Sequence, residues 1–437
     1  DMIILPAGTY TLTDPYALPN INSDVMIMGQ GPEETIIQAS TCNPITSPGN
    51  CDPTYRIFLV IPIGHLTLNS VTLRHGNLDE YYGVAVSNRG SLDLDNCILS
   101  SNYAPIGGAI YNYSEGHINI NNSTIVGNAA SFNGGGIFNY GDISIIQSTI
   151  TDNTAENWGG GIYNDTSGTL GISESTIYKN YATVGLGGGV FNYGDLAISN
   201  STISGNSAPE NGGGIYNGGI LDIRSSTLFG NISSGDAGGI FVGAGDTLNL
   251  SNSIIANSTN YDCYSHGTNG ENPYNIIVNN GPSPDHDCGK ARDFDPDLSE
   301  IGNFGGPTQT HALNSGSPAI DAGDPDVCPK IDQRGMLRPQ DGDNDGKALC
   351  DIGAFEYRSE NNNPEFTSWQ ESLAFVEILY TYDITVEDPD KDELWISAPI
   401  KPDWLSLTDH GDGTATLTGT PKESDLGDHN IKLVVED

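Results

Sequence analysis

Two acidic runs are dense enough to do chemistry. Asp388, Asp390 and Asp392 alternate with single residues, and Asp341, Asp343 and Asp345 stand in Asp341-Gly342-Asp343-Asn344-Asp345-Gly346. Carboxylates this close repel unless a cation lies among them, and hard oxygen ligands suit calcium. The second run copies the start of an EF-hand loop. Its twelfth position is Ile352 rather than Glu, and no flanking helices are evident, so an EF-hand is rejected. What remains is a loop-type calcium site using Asp341, Asp343, Asp345 and Asp351. The bland reading of either run is a solvated acidic turn. Inverting glycoside cleavage needs two facing carboxylates; Asp152 and Asp165 are available, but nothing in the sequence pairs them. His65, His75, His117 and His266 are scattered and read as structural.

The cysteines suggest covalent chemistry of another kind. Cys42 and Cys51, Cys263 and Cys288, and Cys328 and Cys350 each bracket an irregular stretch, as disulfides of an oxidising compartment would. A zinc site is the rival, but no Cys or His spacing fits one. Cys97 is left over, at a position where the internal repeats place Ser, and is expected to be a buried free thiol.

The elements that must carry these residues are set by composition and periodicity. The 437 residues hold 56 acidic and 16 basic side chains, a net charge of −40. That balance argues against nucleic acid or an anionic membrane as partner, since both are held by Lys and Arg. No run approaches the roughly 20 apolar residues of a membrane span. Asp1 stands directly inside a strand-like run, which reads as a processed or trimmed N-terminus. With 55 Gly, and a polar bulk of Asn, Ser and Thr, the chain favours turns and short strands over long helices.

An internal repeat then fixes the architecture. Gly-Gly-Gly-Ile-Phe-Asn at 134–139 recurs at 107–112, 159–164, 187–192 and 212–217, with a decayed copy at 237–242. A second block reads Asn-Ser-Thr-Ile at 122–125, and a third alternates, as in Leu196-Ala197-Ile198. Three short alternating strands every 25 residues or so describe one coil of a parallel β-helix. Stacked about 4.8 Å apart, roughly nine or ten such coils make a rod of about 45 Å. Two Asn series, Asn102, Asn128, Asn153, Asn180, Asn206, Asn231 and Asn257, and Asn88, Asn112, Asn139, Asn164, Asn192 and Asn217, mark the corners. Asn tolerates the left-handed backbone a corner needs, and its amide can bond the same amide one coil away. Tyr111, Phe138, Tyr163, Phe191, Tyr216 and Phe241 each follow a repeat Ile or Val, so alternation puts them outside the core. An external aromatic stripe could bind glycan or another protein. Alternatively, the rings form a ladder that covers the neighbouring glycines and stiffens the sheet.

Beyond the repeats the chain runs Asn303-Phe304-Gly305-Gly306-Pro307-Thr308, Gly316-Ser317-Pro318-Ala319-Ile320-Asp321, Asp332-Gln333-Arg334-Gly335 and Asp351-Ile352-Gly353-Ala354-Phe355-Glu356-Tyr357. This resembles the C-terminal signature of secreted choice-of-anchor Q domain proteins, relatives of the pectate-lyase-like and polymorphic-outer-membrane-protein right-handed β-helices. Ile4-Leu5-Pro6-Ala7-Gly8-Thr9-Tyr10 with Gly29-Gln30-Gly31 resembles their first coils. The resemblance implies a secreted or surface location and no defined reaction. After the polar linker Glu360-Asn361-Asn362-Asn363-Pro364, short alternating strands such as Tyr382-Asp383-Ile384-Thr385-Val386 suggest a β-sandwich. The segment resembles the dystroglycan-type cadherin-like, putative Ig domains of surface proteins, which implies calcium at the Asp388 cluster with Glu360 and Asn362 as co-ligands.

The expected fold is therefore all-β: a right-handed parallel β-helix over 1–290, its choice-of-anchor Q-like end over 291–358, and a small Ig/cadherin-like sandwich over 359–437. A lyase of this fold needs a basic residue beside its calcium carboxylates. The repeat region offers only Arg74, Arg89, Lys179 and Arg224, at unrelated points of the coil. The adjacent Asp pairs and Gly-His-Gly of the fold's hydrolases are missing too. The expected function is a non-catalytic extracellular or surface protein: stalk, adhesin or filament subunit. Its partners are other copies of itself, other surface proteins or glycans. Because β-helix ends expose unpaired strand edges, head-to-tail assembly is expected as well. A carbohydrate-binding module, or a divergent polysaccharide lyase or hydrolase, is the alternative.

Overall fold

The computed structural model describes residues 1–436 apart from 14–17, 47–54, 79–81, 271–272, 283–284, 360–363, 369–372 and 389–393. Two compact units, Asp1–Tyr357 and Arg358–Asp437, make up the chain.

One winding shows why the first unit coils. His117–Asn121 places Ile118 and Ile120 inward and His117 and Asn119 outward. Asn122, at φ 47°, turns the chain into Thr124–Val126, and Gly127, at φ 61°, turns it into Ala129–Asn133. Three glycines then lead to Ile137–Asn139, and the next winding begins at Asp142. The middle glycine is required by closeness: a Cβ on Gly135 would lie 2.3 Å from the carbonyl oxygen of Gly160 in the next winding. Repetition builds two eleven-stranded parallel sheets, here sheet one (Met2–Ile4 to Thr268–Asn269) and sheet two (Gly8–Thr11 to Ile276–Ile277). The nine-stranded sheet three runs from Phe58–Val60 to Tyr261–Ser265, and a six-stranded corner sheet starts at Tyr103–Ile106. Register is residue for residue: Ile110 pairs with Ile137, Tyr111 with Phe138 and Asn112 with Asn139. The core is thus made of columns of Ile, Leu and Val, each fully buried side chain contributing about 1.5–3 kcal/mol.

Polar columns bind the windings together. In one, Asn112 Nδ2 donates to Asn139 Oδ1 at 2.9 Å, Asn139 to Asn164 at 2.8 Å and Asn164 to Asn192 at 2.8 Å. In the other, Asn128 Oδ1 accepts from both the backbone N–H and the side-chain amide of Asn102, at 3.0 and 2.9 Å, and the pattern continues to Asn231. These amides are completely buried, so each must find a partner inside the protein. Of the Asn series the sequence marked, Asn257 takes the left-handed backbone, at φ 56°; at Asn102, Asn153 and Asn180 it is instead the residue before, Ser101, Asp152 and Lys179. The amide has to turn inward to bridge windings, and its neighbour takes the strained backbone. A third column is made of hydroxyls, with Ser148 N donating to Ser175 Oγ and Ser175 N to Ser201 Oγ. Cys97 occupies the Ser place in that column as a buried free thiol, which burial pushes up to about 11.

Residues 291–357 leave the last winding and fold back along the outside of sheet two as a strap. Gln333 is its main anchor: its amide reaches Thr176 Oγ1 at 3.1 Å and Thr308 Oγ1 at 2.9 Å, and its Oε1 accepts from Thr202 at 2.6 Å. Ala354 N donates to Thr227 Oγ1 at 3.0 Å, one winding on. Ile254, Ala256 and Ile276 from sheet two share a core with Ala312, Leu313, Ile352 and Phe355 of the strap. His311 sits in this seam, between Ser204 Oγ (2.9 Å) and the Ser299 carbonyl (2.8 Å), against the Phe229 ring.

The second unit holds small antiparallel sheets. Glu365–Phe366, Tyr380–Glu387, Thr414–Gly419 and Leu405–Asp409 form one sheet, and Trp395–Ile400 pairs with Lys432–Glu436. Tyr382, Ile384, Ile396, Leu405 and Leu417 share its core.

Replacing Asn164 with Ala should cost about 2–4 kcal/mol, since it strands the amides above and below it. The solvated Asn119→Ala should stay within about 0.5 kcal/mol. Denaturant midpoints measure both, and equal midpoints would contradict the role given to the columns. His311 supplies a pH dependence. Burial lowers its pKa in the folded protein, so the unfolded chain takes up the proton first and stability falls as pH drops below about 6.5. His311→Gln should flatten that acid limb in thermal melts recorded between pH 7.5 and 5.

Candidate functional site

The outer face of sheet three carries the aromatic repeat. Tyr111, Phe138, Tyr163, Phe191 and Tyr216 stack with centroid steps of 5.1, 4.5, 4.9 and 4.9 Å and interplanar angles of 4–11°. The column extends through Phe241 and Tyr264 to His286. These rings lie outside the Ile core, as alternation requires, but they are not an exposed stripe. Tyr111, Phe138, Tyr163, Phe191 and Phe241 are buried, because each ring covers the next and a second tier covers their edges. Of the two readings the sequence offered, the rings form the stacked ladder, and the exposed stripe is not found, although Tyr216 stays partly exposed.

The second tier was missed in the sequence, although its signal was there. Two residues after a ladder ring comes Tyr113, Tyr140, Asp165 or Tyr193, and three of these four stand in the string Ile/Val-aromatic-Asn-Tyr. Tyr113 meets Tyr111 at 4.6 Å and Tyr193 meets Phe191 at 4.7 Å, both edge-on, while Tyr140 tilts against Phe138 at 5.0 Å. The Arg89 guanidinium lies 3.9 Å over the Tyr113 ring. On the opposite flank Trp158 lies nearly parallel to Phe191, at 5.3 Å and 11°. Trp158 and Tyr193 remain 37% and 36% exposed, so the reachable aromatic surface is this tier and not the ladder. Asp165 Oδ1 accepts from Thr166 N and Oγ1 at 2.8 and 2.9 Å, and burial together with this nearby carboxylate pushes the Tyr163 phenol well above its ordinary range.

The acidic loop is assembled differently from its sequence pattern. Carboxylate oxygens of Asp341 and Asp343 gather with one of Asp321, all within 4.8 Å of one another. Asp321 accepts backbone N–H bonds from Gly342, Asp343 and Leu349 at 2.9–3.0 Å. Burial holds its carboxyl above the usual range. Asp345 is not in the group; it faces Lys347 at 3.4 Å. Asp351 is also elsewhere, buried beside Glu356 and accepting the N–H groups of Asp321 and Tyr357. Burial and Glu356 push its carboxyl up to about 8. Arg338 compensates this pocket, with Nη1 3.3 Å from Glu356 and both amino groups donating to strap carbonyls. The signature Asp332-Gln333-Arg334 is therefore a clamp: Asp332 holds Arg334 at 2.7 Å, and Arg334 covers Phe355 at 3.5 Å. Of the other acidic run, Asp390 and Asp392 lie outside the described residues, as do Glu360 and Asn362.

Cys263 is joined to Cys288 and Cys328 to Cys350, each with Cα atoms 6.0 Å apart, closing the end of the solenoid and the strap. Cys51, the partner expected for Cys42, lies outside the described residues. His65 bridges Asp24 (3.5 Å) and Asp93 (2.7 Å), and His117 meets Asp142 at 3.0 Å, all on the solvated side of sheet one. Asp152, which nothing in the sequence pairs with Asp165, accepts from its neighbour Thr151 at 2.8 Å.

No curated protein and no solved structure matches the chain. The repeat model of the Chlamydia polymorphic membrane protein family matches residues 147–165 and 200–218. The matched stretches begin at Gln147 and Asn200 and end just past Asn164 and Asn217, so each contains a ladder Ser, both ladder Asn and a ladder ring. The parallel β-solenoid fits such a repeat, and these two windings are similar to the polymorphic membrane protein repeat.

Proposed function

We propose that the chain is a non-catalytic protein of the cell surface or extracellular space, working as a shaft of stalk, adhesin or filament type. The carrying observation is the commitment of repeat side chains to columns: through the middle windings the Asn and Ser residues hydrogen-bond to, and the aromatic residues stack on, their own copies above and below. Stacked, hydrogen-bonded columns give stiffness along the axis. The match to a membrane-protein repeat and the paired cysteines support a location outside the reducing cytosol. On this reading residues 303–357 are a choice-of-anchor Q-type end and 359–437 a cadherin-like module, supported respectively by the clamp at Asp332-Gln333-Arg334 and by antiparallel sheets around a shared core. Antibodies against the solenoid should label intact cells that produce the protein. Labelling only after permeabilisation would overturn the surface location.

Assembly and calcium belong to the same proposal. Among the described residues Met2–Ile4 pairs with Asp24–Met28 and its side chains are exposed, and a strand from another copy or another surface protein would extend sheet one along it. Calcium is the cofactor proposed for the loop, with Asp321 joining Asp341 and Asp343. Electron microscopy in calcium should show particles joined end to end, and thermal melts should shift upward relative to chelator. Isolated particles at high concentration would count against assembly, and identical melts with and without calcium against the metal.

A further inference from the structure

The aromatic column of sheet three ends in two imidazoles. His286 stacks on Tyr264, with centroids 4.7 Å apart and planes 14° apart. His266 stands edge-on to both rings, 5.2 Å from Tyr264 and 4.5 Å from His286, and the two imidazole planes meet at 80°. The pair is distant in sequence, so no local spacing announces it. Covalent and backbone bonds hold it together. Cys263, shortly before His266, is joined to Cys288, shortly after His286. Ser265 N donates to the His286 carbonyl at 3.0 Å, His266 N to the Val242 carbonyl at 2.9 Å, and Cys288 N to Asn280 Oδ1 at 2.8 Å. Both imidazoles therefore stand on backbone that is fixed before any ligand arrives.

We infer that His266 and His286 are the two protein ligands of a divalent transition-metal ion, zinc, with water completing its coordination. Three observations carry this. The first is an orphaned nitrogen: His286 Nδ1 is buried without a hydrogen-bond partner, and among the described residues neither ring joins a hydrogen bond or ion pair. Buried polar atoms are normally satisfied, and a neutral imidazole nitrogen is the commonest metal ligand, suited to zinc rather than calcium. The second is spacing. With zinc–nitrogen bonds of about 2.0–2.1 Å, two imidazoles on one ion have ring centroids about 4.5–5.2 Å apart as the angle opens from square to tetrahedral. The observed 4.5 Å falls at the start of that range. The third is residue type. Along the rest of the column the stacked rings are Phe and Tyr, and Tyr113, Tyr140 and Tyr193 rest on their edges as His266 does. Packing alone calls for imidazole at neither place. His266 is exposed, which leaves an entry path for the ion. The inference is independent of the calcium loop and of the location proposed above.

The test titrates zinc chloride into the whole chain in excess calcium, which occupies oxygen-only sites. Calorimetry should show one saturable zinc equivalent. His266→Tyr and His286→Phe keep a ring at each place and remove the ligand, so a packing role survives them and a metal site does not. Each should weaken zinc binding at least tenfold with the metal-free melting temperature unchanged. If His286→Phe lowers that temperature, His266→Tyr, at an exposed position, decides the matter. His65→Gln removes an imidazole that stands between Asp24 and Asp93 and should leave the affinity unchanged. With copper(II) as the probe, electron paramagnetic resonance should show two imidazole nitrogens on the ion. No saturable zinc binding, an affinity indifferent to His266→Tyr, loss of binding on His65→Gln, or a copper spectrum with fewer than two imidazoles overturns the inference and returns the pair to packing.

Discussion

Register between windings is the constraint on which the structure rests. An amide column works only if the residue above and the residue below are also amides at the same point of the coil. Asn164 is satisfied because Asn139 and Asn192 are where they are, at 2.8 Å each. A slip by one residue would send every inward Ile to solvent and every outward Asp or Thr into the core. Windings nevertheless differ in length, and the differences are confined to corners. The step from Ile162 to Val190 is longer than the step from Ile137 to Ile162, and its extra residues lie at 165–168 and 183–186, between strands that pair without a break. Length is tolerated where no column runs.

The three faces solve their outward problem in different ways. Sheet one carries His, Asp, Asn and Ser on its outer side, including the His65–Asp93 and His117–Asp142 pairs, and is left to water. Sheet two points Thr176, Thr202 and Thr227 outward, and these would be ordinary solvated hydroxyls but for the strap, whose Gln333 and Ala354 satisfy them. Sheet three faces outward with large rings, which cannot be left in water and have no strap over them. Stacking on one another, with a second aromatic tier on their edges, is the solution the sequence provides. The Asp351–Glu356–Arg338 pocket is the cost of the strap: buried charge brought together so that a loop-rich segment without long strands is held in one arrangement.

The coil itself was legible because its signal is repeated many times. Glycine triplets, Ile positions and two Asn series at a common spacing define three faces and their corners, and a single strand would not have done so. What was not legible is whatever depends on the space between windings. Alternation correctly put Phe138 and Phe191 outside the core. It could not say that rings about 5 Å apart shut solvent out from each other. It gave the inward ladder Asn the left-handed backbone that Ser101 and Asp152 take instead. In the strap no periodicity exists to read, so Asp321, twenty residues before Asp341, could not be joined to the acidic loop, and Asp345 was joined to it by proximity in sequence alone.

These observations divide the molecule by what each position can vary. A ladder ring or amide is coupled to the windings on both sides, so changing one strands its neighbours, and the column changes together or not at all. Trp158, Asp165 and Tyr193 sit at the ends of the same strands but in the corners, where insertions are already accommodated and side chains contact the columns from outside. Their replacement removes surface without breaking a column. A solenoid of this kind can therefore keep its shaft constant while the rows that edge a face are free to vary.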